Sequence, residues 1–253
     1  MINPMDLTGK RIMVTGASAG IGRATAQLLS RLGAQVVLVA RNEAHLAQTL
    51  AMLEGENHVV CPFDLSALDE IPHMMRAAAE RAGPLSGLFH AAGTFSMLPV
   101  NVVKTRQIRE LFDVSVFAGL MLVKGFMLRG VRVDGPTSVL LMSSVSSVNG
   151  QPGLSVYGGA KAAVNGIVRS LAYELAPKQV CVNSLVVGAV HTQLFEASMA
   201  SMSPGSLQEY RDKHLLGFGR AADVALAAAF LLSDAARWIT GATMVVDGGY
   251  SCH

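Results

Sequence analysis

Apolar residues along the chain fall into two kinds of run. Short, nearly unbroken runs occupy Arg11–Thr15, Gln35–Ala40, His58–Cys61, Gly87–Ala91, Thr137–Ser143, Val180–Val186 and Ala242–Val246. Between most of them lie longer stretches with helical periodicity: Ile21–Leu32, Glu43–Leu53, Ala67–Ala82, Thr105–Arg129, Tyr157–Ala176 and Ala221–Ala235. The first kind reads as strands buried on both faces, the second as helices laid against them. Their alternation predicts an α/β fold: a doubly wound parallel sheet of seven strands with helices on both faces. No repeat or linker interrupts the pattern, so residues 1–253 read as a single domain. His191–Gly219 stands apart, with Pro204, Gly205 and many serines. A long irregular segment in a compact α/β domain is usually functional, which predicts a lid over a site.

Composition narrows the function classes. Of 253 residues, 51% are hydrophobic and 15% charged. An average soluble protein has about 25% charged residues, so a large core and buried subunit interfaces are expected. A net charge of +2 without a clustered basic footprint argues against nucleic-acid binding. The longest charge-free stretch, Gly135–Ala160, holds Pro136, Pro152, five glycines and six serines, and does not read as a membrane span. The first residues show no apolar segment ahead of their charges, so no secretory signal is expected. Cys61, Cys181 and Cys252 have neither metal nor redox spacing, which fits reduced thiols and a cytoplasmic protein. The seven histidines form no HExxH or Cys/His cluster, so no metal is expected.

In an open parallel sheet, ligands bind beyond the carboxyl ends of the strands. The first such turn reads Thr15-Gly16-Ala17-Ser18-Ala19-Gly20-Ile21-Gly22 and opens a helix. Glycines permit close backbone approach to a diphosphate, and a helix N-terminus offers free N–H groups and a positive dipole end. The same letters contain a rival reading, the GxSxG of a hydrolase nucleophile elbow, with His191 or His214 as partner. That reading leaves Gly22 unexplained. After the second strand, Ala40 stands where an NAD enzyme would place an acid, and Arg41 follows. A guanidinium suits a 2′-phosphate, and Ser18 and Asn42 can add bonds to it. NADP(H) is therefore the expected cofactor.

Tyr157 and Lys161 are four residues apart on a helical pattern, so they share one face. An ammonium beside a phenol favours the phenolate and is expected to lower the tyrosine pKa toward working pH. Ser144 closes the fifth strand, where its hydroxyl can bond a substrate oxygen.

Taken in order, these pieces resemble the short-chain dehydrogenase/reductase family over essentially the whole chain. The matching segments are residues 15–22, Asp64-Leu65, His90-Ala91-Ala92-Gly93, Ser144 ahead of Tyr157-Gly-Gly-Ala-Lys161, Val182-Asn183-Ser184, Thr192, Ile239-Thr240-Gly241 and Asp247-Gly248-Gly249. The resemblance implies a Rossmann-type fold and a carbonyl reductase or alcohol dehydrogenase. Tyr157 would be the acid/base, Lys161 would hold the nicotinamide ribose, and Ser144 would position the carbonyl. It further implies that Asp64 and Leu65 flank the adenine, that Ala92, Gly93 and Gly188 line the cofactor, and that Val190 and Thr192 meet the carboxamide. The family's helix-four Asn, part of a water-linked proton relay, aligns with Ser115. Its Asn-Asn-Ala-Gly run is His90-Ala91-Ala92-Gly93, and its Pro-Gly is Val187-Gly188. In the family fold the backbone carbonyl at position 115 carries most of the relay, and the Asn side chain fixes a local helix distortion.

Three readings follow. The first is an NADPH-dependent reductase of a small carbonyl or alcohol substrate. The second is a non-enzymatic dinucleotide-binding sensor, suggested by Ser115 alone. The third is the hydrolase. Within the first, 3-oxoacyl-carrier-protein reductases resemble the chain, with Arg129 and Arg132 as docking cations, but Tyr173 stands where those enzymes often show Arg. Candidate substrate contacts are Thr94, Met97, Leu98, Leu154, Val156, Phe195, Met199 and Met202, mostly apolar, which points to a hydrophobic ketone. The two long helices, 105–129 and 157–176, and the last helix and strand are the family's interface elements, so a homotetramer is expected, with a dimer as fallback.

Overall fold

The computed structural model describes residues 3–199 and 203–252. In chain order its elements are β1 (Arg11–Thr15), α1 (Gly20–Arg31), β2 (Gln35–Ala40), α2 (Glu43–Leu50), β3 (Val59–Pro62), α3 (Ile71–Ala82) and β4 (Gly87–His90). Then come α4 (Thr105–Phe112), α5 (Ala118–Phe126), β5 (Thr137–Ser144), α6 (Ser155–Leu175), β6 (Val180–Val187) and β7 (Val190–His191). The chain closes with α7 (Gln193–Met199), α8 (Pro204–Asp212), β8 (Gly219–Arg220), α9 (Ala221–Leu232) and β9 (Thr243–Val246). Seven strands form one parallel sheet in the order β3-β2-β1-β4-β5-β6-β9, and β7 pairs with β8 apart from it.

The unbroken apolar strands are explained by burial on both faces. In β1, Ile12 and Val14 enter the core shared with α1 and α9, while Met13 enters the core shared with α3, α5 and α6. In β2, Val36 and Leu38 face the first core, Val37 and Val39 the second. A strand with helices on both sides needs no polar face. The strand order reverses between β1 and β4, and the crevice at that switch point is where ligands enter such sheets.

Two expectations from the sequence are corrected. The single helix expected over 105–129 is broken by a π-helical turn, Asp113–Phe117, between α4 and α5. His90, at the end of the central strand β4, sets its Nε2 2.9 Å from the Val114 carbonyl inside that turn. The segment 191–219 is not irregular but holds α7 and α8. Two of its polar residues are helix caps. The Thr192 hydroxyl accepts from Phe195 N (3.2 Å), and Ser203 accepts from Ser206 N (3.2 Å) with Pro204 in the first turn of α8. Among the described residues, no helix is long and apolar enough to cross a membrane, and no cluster of three metal-ligating side chains occurs.

Candidate active site

At the carboxyl edge of the sheet lies a cavity of about 540 Å3. Ser144, Tyr157 and Lys161 all line it. Ser144 ends β5 and caps a short turn, accepting from Ser146 N at 3.2 Å. α6 packs against that turn because Gly158 has no side chain: a Cβ there would lie 2.5 Å from the Ser146 carbonyl. The Ser143 hydroxyl donates to the Lys161 carbonyl at 3.0 Å and fixes the other side of α6. Lys161 is 3% exposed, and its Nζ donates to the Met142 carbonyl at 3.0 Å.

The electrostatics differ from the expectation for this pair. Burial pushes the Tyr157 phenol above its ordinary value, and a hydrogen bond from Ser144 pulls only partly the other way. Burial pushes Lys161 down to about 8. The ammonium sits 5.9 Å from the Tyr157 ring centroid, over the ring. Tyr157 is therefore a protonated phenol at neutral pH.

The dinucleotide cradle is built from glycine contacts. A Cβ on Gly16 would lie 2.9 Å from the Ala92 backbone, and one on Gly22 would lie 2.3 Å from the Gly16 carbonyl. Gly16, at φ +68°, lets the β1–α1 turn lie against the segment after β4, and Gly22 lets α1 close on the turn's own backbone. Gly20, at φ +53°, faces the Thr192 side chain. α1 begins with no side-chain cap and no acid in its first turn, so its N–H groups and dipole are open to an anion. These features fit a diphosphate. Ile21, Gly93, Gly188, Val190 and Thr192 line the cavity, whereas Gly16, Ser18, Gly20 and Gly22 form the turn beside it, and Ala92, after β4, packs against Gly16. Gly188 is forced by Asp247, whose Cα would lie 2.8 Å from a Cβ there. Arg41 and Asn42 are exposed beyond β2. Asn42 Oδ1 caps α2 by accepting from His45 N at 2.9 Å. Asp64 accepts from Ser66 N, which holds its carboxyl below the usual range, and nearby Arg41 adds to this. Leu65 is buried beside it.

Several contributors were not singled out from sequence. Arg23 donates to the Ser18 carbonyl and to the Thr49 hydroxyl (3.0 Å), and Thr49 donates to the Ala17 carbonyl (2.9 Å), bracing the turn. His90 links the cradle to the π-helical turn. The Val114 carbonyl can only accept, so Nε2 carries the proton, and Nδ1 accepts from the Thr15 hydroxyl at 2.8 Å. Thr15 Oγ1 in turn accepts from Ala92 N at 3.2 Å. Burial, with the Lys161 charge, pushes His90 down to about 4 and keeps it neutral. Ser115, one residue along, is 2% exposed, and its Oγ has no hydrogen-bond partner among the described residues. The helix distortion thus persists without an Asn at 115, with its Val114 carbonyl bonded from His90.

Of the substrate candidates, Thr94, Met97, Leu154, Phe195 and Met199 line the cavity. Leu98 and Val156 do not, and line a separate small cavity with Leu111 and Gly153. Met202 lies outside the described residues. Gln151, Tyr210 and Tyr250 also face the cavity, with Gln151 Nε2 donating to Tyr250 Oη at 2.5 Å. The hydrolase reading fails on geometry. His214 accepts from Ala189 N (3.1 Å) and bonds the Tyr210 carbonyl (3.0 Å), and His191 stacks edge-on with Phe195 and Phe218. Neither ring is bonded to Ser18.

A seven-stranded, doubly wound sheet with this glycine turn and this Ser, Tyr and Lys set defines a short-chain dehydrogenase/reductase. Residues 16–251 match the family model described as enoyl-(acyl carrier protein) reductase, and the chain belongs to the short-chain dehydrogenase/reductase family of oxidoreductases, which bind a nicotinamide dinucleotide. It is 32% identical over 249 residues to 2,5-dichloro-2,5-cyclohexadiene-1,4-diol dehydrogenase of Sphingobium indicum, covering 97% of this chain and 98% of that one. It is 31% identical over 246 residues to 3-oxoacyl-(acyl-carrier-protein) reductase of Rickettsia conorii, again covering 97% and 98%. Among solved structures, a dehydrogenase from Agrobacterium tumefaciens with bound NADP superposes with a TM-score of 0.88 at 27% identity and full coverage of both chains.

Proposed function

We propose that the protein is an NADPH-dependent reductase of hydrophobic ketones. The observation that carries this reading is the placement of Ser144, Tyr157 and Lys161 together on one mainly apolar cavity. When bound, the reduced nicotinamide supplies the hydride. The Tyr157 phenol donates a proton to the substrate oxygen, which the Ser144 hydroxyl holds by a hydrogen bond. Lys161, still cationic at neutral pH with a value of about 8, favours the negative charge that develops on the phenol. Burial holds Tyr157 above its ordinary value, so at neutral pH it is in the protonated form that ketone reduction uses. α7 and α8 carry Phe195, Met199 and Tyr210 over the cavity and act as its lid.

Cofactor preference follows Arg41, exposed beyond β2 with no acid at Ala40 to repel a 2′-phosphate. The test is a panel of ketones assayed with NADPH and NADH. NADPH should be preferred, and Arg41→Ala should erase most of the preference, about 10–150-fold for one charge-assisted bond. Equal KM for both cofactors in the unaltered protein would overturn this assignment. The intact proton donor disfavours a non-catalytic sensor. A carrier-protein substrate is also disfavoured. Tyr173 is 89% exposed where a docking cation would be expected, and the Arg132 guanidinium is held by the Val133 and Gly135 carbonyls.

The assembly we propose is a homotetramer. Ile108, Phe117 and Leu120 are exposed along α4, the π-helical turn and α5, and Leu226, Val245 and the nearly fully solvent-exposed Trp238 lie at α9 and β9. Apolar groups grouped in this way are not normally left in water. Light scattering at micromolar concentration tests it, and a monomeric mass would refute it.

A further inference from the structure

We infer that the ketone taken by this site carries a flat unsaturated ring near its carbonyl. The inference rests on the reductase reading above and narrows its substrate. Aromatic residues make up 6% of the chain, yet Phe95, Tyr157, Phe195, Tyr210 and Tyr250, including three of the four tyrosines, line the catalytic cavity. They converge from distant points: the segment after β4, the start of α6, α7, α8 and the residues after β9. Tyr250 also belongs to a small core with Val145 and Val186, against which Tyr210 packs, but all five rings present a surface to the cavity.

In the unliganded subunit they pack ring against ring. Phe95 stands edge-on to the catalytic Tyr157, with centroids 5.0 Å apart and planes at 66°. Phe195 is held edge-on by Phe218 at 5.0 Å and 71°, and by His191 at 5.8 Å and 85°. Tyr210 stands at 65° to Tyr250, 5.7 Å away, with the His214 ring 5.0 Å from it. Side chains packed against their neighbours lose little freedom when a ligand binds. A wall of faces and edges favours a guest with its own quadrupole, which can offer an edge to a face or a face to an edge. A saturated ring of the same size can gain only from burial.

The two contributions are separable with a matched pair of ketones: benzylacetone and the compound in which cyclohexyl replaces its phenyl. The carbonyls are equally reactive, and the cyclohexyl compound has the larger apolar surface, so burial alone favours it. The ring wall predicts the reverse order, with kcat/KM for benzylacetone higher by at least about fivefold. Phe195→Leu and, separately, Phe95→Leu should shrink that ratio. A binding readout accompanies the kinetics: the rise in melting temperature caused by each ketone with NADP+ present should follow the same order. Equal or better handling of the cyclohexyl ketone by the unaltered protein, in rate and in melting shift, overturns the inference while leaving the reductase reading intact. Absence of turnover with every ketone strikes the reductase reading instead, and the melting shifts then decide the ring preference alone.

Discussion

His90 gives the protein a specific weakness toward acid. The side chain is 2% exposed, and its two nitrogens are committed to Thr15 and to the Val114 carbonyl. A proton on Nδ1 would face a hydroxyl that already uses its hydrogen there, and the new charge would be buried close to the Lys161 ammonium. Its folded value is therefore about 4 against an ordinary 6.5. Between those values the unfolded chain binds the proton and the folded one does not, so stability falls as pH falls through this window and is unaffected above it. At pH 5 the loss from this group is about 2 kcal/mol, reaching about 3 kcal/mol below pH 4. For a chain of this size that corresponds to a fall of about 4–8 °C in Tm at pH 5. The variant for comparison is His90→Asn, which keeps a donor and an acceptor but has no proton to gain. The assay is thermal unfolding followed by circular dichroism at pH 7 and pH 5, at one protein concentration. Carboxylates and the other histidines titrate alike in both proteins and cancel in the difference of differences. The unaltered protein should lose about 2 kcal/mol more than His90→Asn between the two pH values. An equal loss in both would show that His90 does not sit neutral in the fold.

Other outcomes are expected at the catalytic wall. Tyr157→Phe removes the proton donor and should lower kcat by about 10²–10⁴-fold while an NADPH titration still saturates. The pH profile of kcat/KM for NADPH reports the free protein, and it should bend near pH 8, where Lys161 loses its proton, rather than near the ordinary lysine value of 10.5. Ser115→Asn should change kcat on a good ketone by less than about tenfold, under 1.4 kcal/mol of barrier, because the helix distortion is already present without the Asn. If the unaltered protein binds NADPH yet turns over no carbonyl and Ser115→Asn restores turnover, the relay runs through the side chain and the sensor reading gains.

What could be read from the sequence, and what could not, follows the range of the interactions involved. The strands of the main sheet were legible to within a residue or two because burial on both faces leaves an unbroken apolar signal. Ser144, Tyr157 and Lys161 were legible because two share a helix face and the third ends a strand at the sheet's carboxyl edge. A distortion near position 115 was implied only by the family resemblance, and local periodicity hid it: the hydrogen bond that meets its Val114 carbonyl comes from His90, 24 residues earlier in the chain. α7 and α8 were hidden because their capping Thr192 and Ser203 look like loop residues in a serine-rich stretch. Tyr210 and Tyr250 reach the cavity only through the docking of α8 and the chain end, and Leu98 and Val156 turn away from it for reasons of packing that no local pattern records. The expected lowering of the Tyr157 phenol rests on spacing alone, whereas burial raises it. Four residues on a helix bring the groups together, but the depth of the wall decides which way the phenol shifts.

Trp238 is the chain's single tryptophan and is 96% exposed in the isolated subunit. All indole emission therefore comes from one point, at the turn leading into the edge strand β9. An indole already in water has little further to go when the subunit unfolds, so the unfolding of a lone subunit should be almost silent in its colour. If a second subunit covers it, the emission moves to the blue, and dilution returns it to the red with the fold intact. A subunit contact over this turn would thus be read separately from folding, two events that most intrinsic probes record as one.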